Sequence, residues 1–145
     1  MEETKNLPVL HFRDNEMLET YLKYWQHMLH LDDWYIKAVL VDELRDEDGN
    51  ELNGQNIAYV TNKEAFIKVS AVDYKDGYMK HCEELALVHE LLHCVIILLQ
   101  KVDETVESAV FTRDEHQKIE TLAKAFIMAK YGVDKKWFFK EEETC

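Results

Sequence analysis

Residues 82–99 read CEELALVHELLHCVIILL. At helical spacing, Leu85, Leu87, Val88, Leu91, Leu92, Val95, Ile96, Ile97, Leu98 and Leu99 leave almost no polar side. A helix that is apolar all round belongs in the middle of a domain, packed on every face. Glu83 and Glu84 stand in its first turn, where the helix dipole favours carboxylates. The rest of the chain is read outward from this helix.

Within it lies His89-Glu90-Leu91-Leu92-His93. Positions four apart share a helix face, so both imidazoles can approach one tetrahedral Zn2+. Glu90 projects about a quarter-turn away, where a carboxylate can take a proton from a water that zinc has acidified. This is the HExxH arrangement of metallopeptidases, with His89 and His93 as metal ligands and Glu90 as the catalytic base. A purely structural role would require partners for all three polar groups inside the most apolar helix of the chain, each costly to bury alone. Cys94 faces away from the histidines and reads as core packing. Cys82 lies two turns before His89, about 10 Å along the axis, too far to share its metal. His81 reads as a surface residue.

A third ligand must come from another element, and an antiparallel return helix is the natural source. A helix from near Thr105 or Thr112 to Tyr131 carries Ile119, Leu122, Ala123, Phe126 and Ile127 on its inner face, and Gly132 ends it. Measured from Ile119 at about 100° per residue, the apolar face centres near 10°. Glu115 falls near -40°, His116 near 60° and Glu120 near 100°. The first two lie within the face and the third at its margin, so periodicity leaves the ligand open among them. Thr112 to Glu115 also fits a simple capping box.

Upstream, Asp14 is placed to cap a helix over residues 15–30, with Met17, Leu18, Tyr21, Leu22, Trp25, Met28 and Leu29 in one stripe. His27 and His30 fall at its end, as surface or capping residues. Trp34 to Val41 is β-branched and aromatic and predicts a strand. Asp42 to Asn53 is an acidic loop without the ligand spacing of a calcium-binding hand. Residues 57–60 and 65–69 predict a hairpin joined at Thr61 to Glu64, with Ala65, Ile67 and Val69 on one face. Trp137, Phe138 and Phe139 are expected to pack back on the body. The predicted fold is α+β: a small sheet against the buried HExxH helix, flanked by N- and C-terminal helices, in a single domain over residues 1–145.

Bulk composition limits the function classes. The chain has 29 acidic and 17 basic residues, a formal net charge of -12. That excludes the phosphate neutralisation on which nucleic-acid binding depends, and it suits solubility or a basic protein partner. The longest apolar run is far too short for a bilayer, and no membrane association is expected. The first residues lack a signal-peptide pattern, and three cysteines cannot all pair in one molecule. The expectation is a cytoplasmic protein with reduced thiols.

HELLH in an apolar helix, followed by DEHQKIETLA at 114–123, resembles the minimal gluzincin-like zincins. These include phage-encoded metallopeptidases, the ImmA/IrrE-like proteases and, more distantly, the SprT-like proteins. The resemblance extends over most of residues 14–130, although only HELLH is highly specific. It implies a zincin-like fold and hydrolysis of a protein or peptide substrate. In such families the second helix often carries E-x-x-A-[DN]-x-[FL]-A, its Glu being the third ligand. Aligned on Leu122-Ala123, that pattern puts His116 at the Glu position, Ile119 at the Ala and Glu120 at the Asp/Asn. It then implies a three-histidine site with Glu120 supporting His116. A shift of one residue makes Glu115 the ligand. The resemblance also implies that an extended peptide lies along an edge strand, for which Ala65 to Ser70 is the expected segment. Tyr74, Tyr78 and Tyr131 are candidates to steady the oxyanion. The rival readings are a zinc-binding, non-proteolytic interaction module, as in a phage–host regulator, and a structural protein in which HELLH is coincidental.

Overall fold

The computed structural model of the chain describes residues 6–73, 77–97 and 113–141. It is α+β, with three helices and a small three-stranded mixed sheet. Helix α1 spans Asn15–Met28, and the Asp14 carboxylate accepts the Met17 N–H at 2.8 Å as its cap. It ends two residues earlier than expected, because His30 adopts a left-handed backbone (φ 59°) that cannot continue a helix. Leu18, Leu22 and Trp25 form its buried stripe.

The strands are β1 (Tyr35–Val41), β2 (Gly54–Tyr59) and β3 (Glu64–Ser70). Their order is β1-β3-β2, with β1 parallel and β2 antiparallel to β3. The expected hairpin is present as β2 and β3, but the edge assignment is not. Ala65 to Ser70 occupies the central strand, with both backbone edges paired, so it cannot receive a further strand. The edge beside the buried helix is β2. The register puts Ile36, Ala65 and Ala58 in one inward row, then Ala38, Ile67 and Asn56, then Leu40, Val69 and Gly54. With a side-chain period of two, these rows form the single face turned toward the helices.

Helix α2 spans Glu83–Ile97 and α3 spans Arg113–Tyr131. Helix α2 packs against β2, β3, α1 and α3, which is why most of its residues are buried. Helix α3 returns along it and buries Ile119, Ala123 and Ile127. Gly132, at φ 69°, donates its N–H to the Met128 carbonyl at 2.8 Å and closes α3 as a left-handed cap. The start of α3 proposed near Thr105 or Thr112 lies outside the described residues, as do Leu98 and Leu99. The tail packs back as expected: Phe138 is fully buried, and Met79 and Phe139 form an antiparallel bridge.

Two segments carry more structure than the sequence reading gave them. The acidic loop turns back on itself through an Arg45–Glu51 bridge and buries Leu44. At the start of α2, Glu83 and Glu84 do more than face a dipole. Both are buried, and the N-terminal segment lies across them. The Leu10 and Val9 carbonyls accept the Glu83 and Glu84 N–H groups at 3.0 and 3.1 Å, which satisfies donors that a helix start leaves open. Glu84 in turn accepts from Val9 N–H, Trp25 Nε1, the Tyr131 hydroxyl and Lys130. It joins the N-terminal segment, α1 and α3 to one carboxylate. No described helix is long and apolar enough to cross a membrane.

Candidate metal centre

His89 and His93 leave α2 on one face, and His116 of α3 faces them. One ring nitrogen from each of the three lies within 4.8 Å of the others. The ring centroids are 5.1 Å apart for His89 and His93, 4.9 Å for His93 and His116, and 6.0 Å for His89 and His116. Three imidazoles converging from two helices suit a tetrahedral zinc, which takes nitrogen ligands at about 2.0–2.1 Å and leaves a fourth position open.

The surrounding groups fit that use. The Glu120 carboxylate can only accept, so it receives the Nδ1 proton of His89 at 2.5 Å and leaves Nε2 for a metal. A carboxylate behind a ligating imidazole sets both its tautomer and its ring direction. Glu120 was expected to support His116; it supports His89 instead, since α3 runs beside α2 and brings its 120 position opposite 89. Glu115 is not part of the cluster. Burial opposes a charge on His89, but the Glu120 hydrogen bond and the charges of Glu90 and Glu120 outweigh it and raise its pKa. Burial, with the charges of His89 and His116, pushes His93 down to about 3. Burial and His89 also lower His116, partly offset by Glu115. A metal therefore meets His93 and His116 in the neutral form that ligation needs.

Glu90 is buried beside this cluster, and burial pushes its carboxyl up to about 7, with His89 opposing and Glu120 adding to the rise. Two residues that the sequence reading did not single out hold it there. Gly54 opens the edge strand at the carboxylate: a Cβ at that position would lie 3.0 Å from Glu90 Cγ and Oε2. Asn56, two residues on and so on the same face, donates its amide to the Glu90 carbonyl at 2.8 Å and to Cys94 Sγ at 3.2 Å. A glycine inside a strand is a known sign of close approach, but Asn53-Gly54 reads locally as the end of the acidic loop. Nothing local marks Asn56.

The three histidines, Glu90 and Glu120 line one groove of about 860 Å³, bordered by the whole of β2 and by Met79 to Cys82. Cys94 is buried against Asn56, away from the cluster, as expected. Of the candidate oxyanion groups, Tyr78 is exposed and outside the groove. Tyr131 is also outside it and commits its hydroxyl to Glu84 at 2.7 Å. Tyr74 lies outside the described residues. His81, expected at the surface, has its side chain buried beside Glu83, because the N-terminal segment covers that end of α2. Comparison of the chain with protein-family models, with curated proteins and with solved structures finds no match.

Proposed function

We propose that this chain is a zinc-dependent metallopeptidase of zincin-like architecture. The observation that carries the reading is the convergence of His89, His93 and His116 beside a buried carboxylate, Glu90, on an open groove. Zinc held by the three imidazoles would supply a Lewis acid for a peptide carbonyl and would lower the pKa of water.

The chain's own residues supply the remainder. Glu90 takes a proton from the attacking water and returns it to the leaving amine, a role suited to a carboxyl whose burial raises its basicity toward neutral pH. Glu120 holds His89 in the metal-binding tautomer. Gly54 and Asn56 fix the spacing between the base and the edge strand. An extended peptide adds to the free edge of β2, its backbone paired there and its scissile bond carried past Glu90.

The test has two parts. Zinc content is measured by mass spectrometry in wild type, His89→Ala, His93→Ala, His116→Ala and Glu115→Ala. Cleavage of a mixed peptide library is then read for zinc-loaded wild type and Glu90→Gln. The proposal expects zinc to be lost with each histidine and kept in Glu115→Ala, with cleavage abolished in Glu90→Gln while zinc remains. Zinc-loaded wild type that cleaves nothing in the library or in a whole-cell lysate would make the domain a zinc-binding interaction module. Absence of zinc after reloading would overturn the metal site itself.

A further inference from the structure

A second group of potential ligands lies at the other end of α2. His11, His81 and Glu83 each offer one atom within 4.8 Å of the others. Glu83 Oε2 is 2.8 Å from His11 Nδ1 and 3.3 Å from His81 Nε2, and the two rings are 5.2 Å apart. We propose that these three side chains bind a second divalent cation of the zinc class, which clips the N-terminal segment onto the start of α2.

The arrangement has the parts that such a site needs. In a tetrahedral zinc site, bond lengths near 2.0–2.2 Å separate the ligand atoms by about 3.3 Å. The His81–Glu83 pair already has that spacing, and the exposed His11 ring needs to open by about half an ångström. Glu83 Oε1 accepts the Phe12 N–H at 2.7 Å, so the carboxylate is oriented from behind and Oε2 is left for the cation. The His81 and Glu83 side chains are only 4% and 1% exposed, while His11 is 56% exposed and provides the entry path.

Glu83 takes the Phe12 N–H on Oε1, while Oε2 faces two imidazoles, the exposed His11 and the buried His81. Two ring nitrogens and one carboxylate oxygen around a common point are a donor set that zinc accepts. The site is separate from the first. Glu83 precedes His89 by six residues, about 9 Å along the axis, against the roughly 3.5–4 Å of paired catalytic metals. Its ligands come from segments about seventy positions apart in the chain, so a bound cation stabilises the closed N-terminus by mass action.

The experiment is titration of metal-free protein with Zn2+ alone, followed by calorimetry, and with Co2+, followed by visible absorption. Wild type is expected to take up about two equivalents and His11→Asn about one. The His89→Ala/His93→Ala variant should retain one equivalent that disappears when His11→Asn is added, and Zn2+ should raise its thermal midpoint. The result that overturns the proposal is zinc uptake, in wild type or in the double variant, that His11→Asn leaves unchanged. If the first site alone fails, wild type takes up one equivalent that depends on His11 and not on His93. The two readings therefore fail separately.

Discussion

Replacing Glu90 with Gln tests, in one residue, whether the site is built at the expense of stability. The Glu90 carboxyl has a pKa near 7 in the folded, metal-free chain, against an ordinary 4.5. The folded value is the higher one, so its contribution to stability is fully present below pH 4.5 and lost as pH rises through 7. The difference of about 2.5 in pKa corresponds to about 3 kcal/mol of destabilisation at pH 8, and to less than about 1 kcal/mol at pH 5. Glu90→Gln removes the titration and keeps the shape. Relative to wild type, the metal-free variant should gain about 2–3 kcal/mol between pH 5 and pH 8. His89 acts in the same direction, since the Glu90 charge helps to raise its pKa. The assay is urea unfolding after chelation at both pH values. With a slope near 2 kcal/mol per molar urea, the variant's midpoint should move up by about 1–1.5 M more at pH 8 than at pH 5. Equal shifts at both pH values, or a variant less stable at pH 8 than at pH 5 relative to wild type, would refute the claim that Glu90 is held against its own charge. The same variant should retain zinc and lose cleavage, so that stability rises as function is lost.

Three further outcomes follow from the geometry. Glu120→Gln keeps the size of the side chain but weakens its hold on His89 Nδ1, and zinc affinity measured against a chromophoric chelator should fall about 10–100-fold; an unchanged affinity would remove Glu120 from the site. Gly54→Ala puts a methyl 3.0 Å from Glu90 Cγ and Oε2, so kcat should fall at least about tenfold with zinc content unchanged, and full activity would show that the base tolerates displacement. Tyr131→Phe removes one donor from the fully buried Glu84 and should cost about 1.5–3 kcal/mol in urea unfolding; a cost below about 0.5 kcal/mol would mean that Val9, Trp25 and Lys130 suffice.

Local chemistry was readable from the sequence wherever a residue's role depends on its near neighbours. The His89/His93 pairing follows from helical spacing, and the burial of α2 from its lack of a polar face. Asp14 and Gly132 end their helices through bonds that span three or four residues. The β2–β3 hairpin and the inward set Ala65, Ile67 and Val69 follow from a period of two. Periodicity shows on which face a residue lies, but not what that face will meet. Only the docking of α3 on α2 brings His116 into the cluster and turns Glu120 to His89, because three candidates within about one and a half turns of helix differ by rotations that packing alone resolves. Only the crossover from β1 to β3 makes β3 central and leaves β2 at the edge, since strand order depends on contacts distant in sequence. The same holds at the start of α2. The position of Glu83 and Glu84 in the first turn predicts only carboxylates favoured by a helix dipole, whereas a segment some seventy residues earlier in the chain buries both and supplies the imidazole of His11.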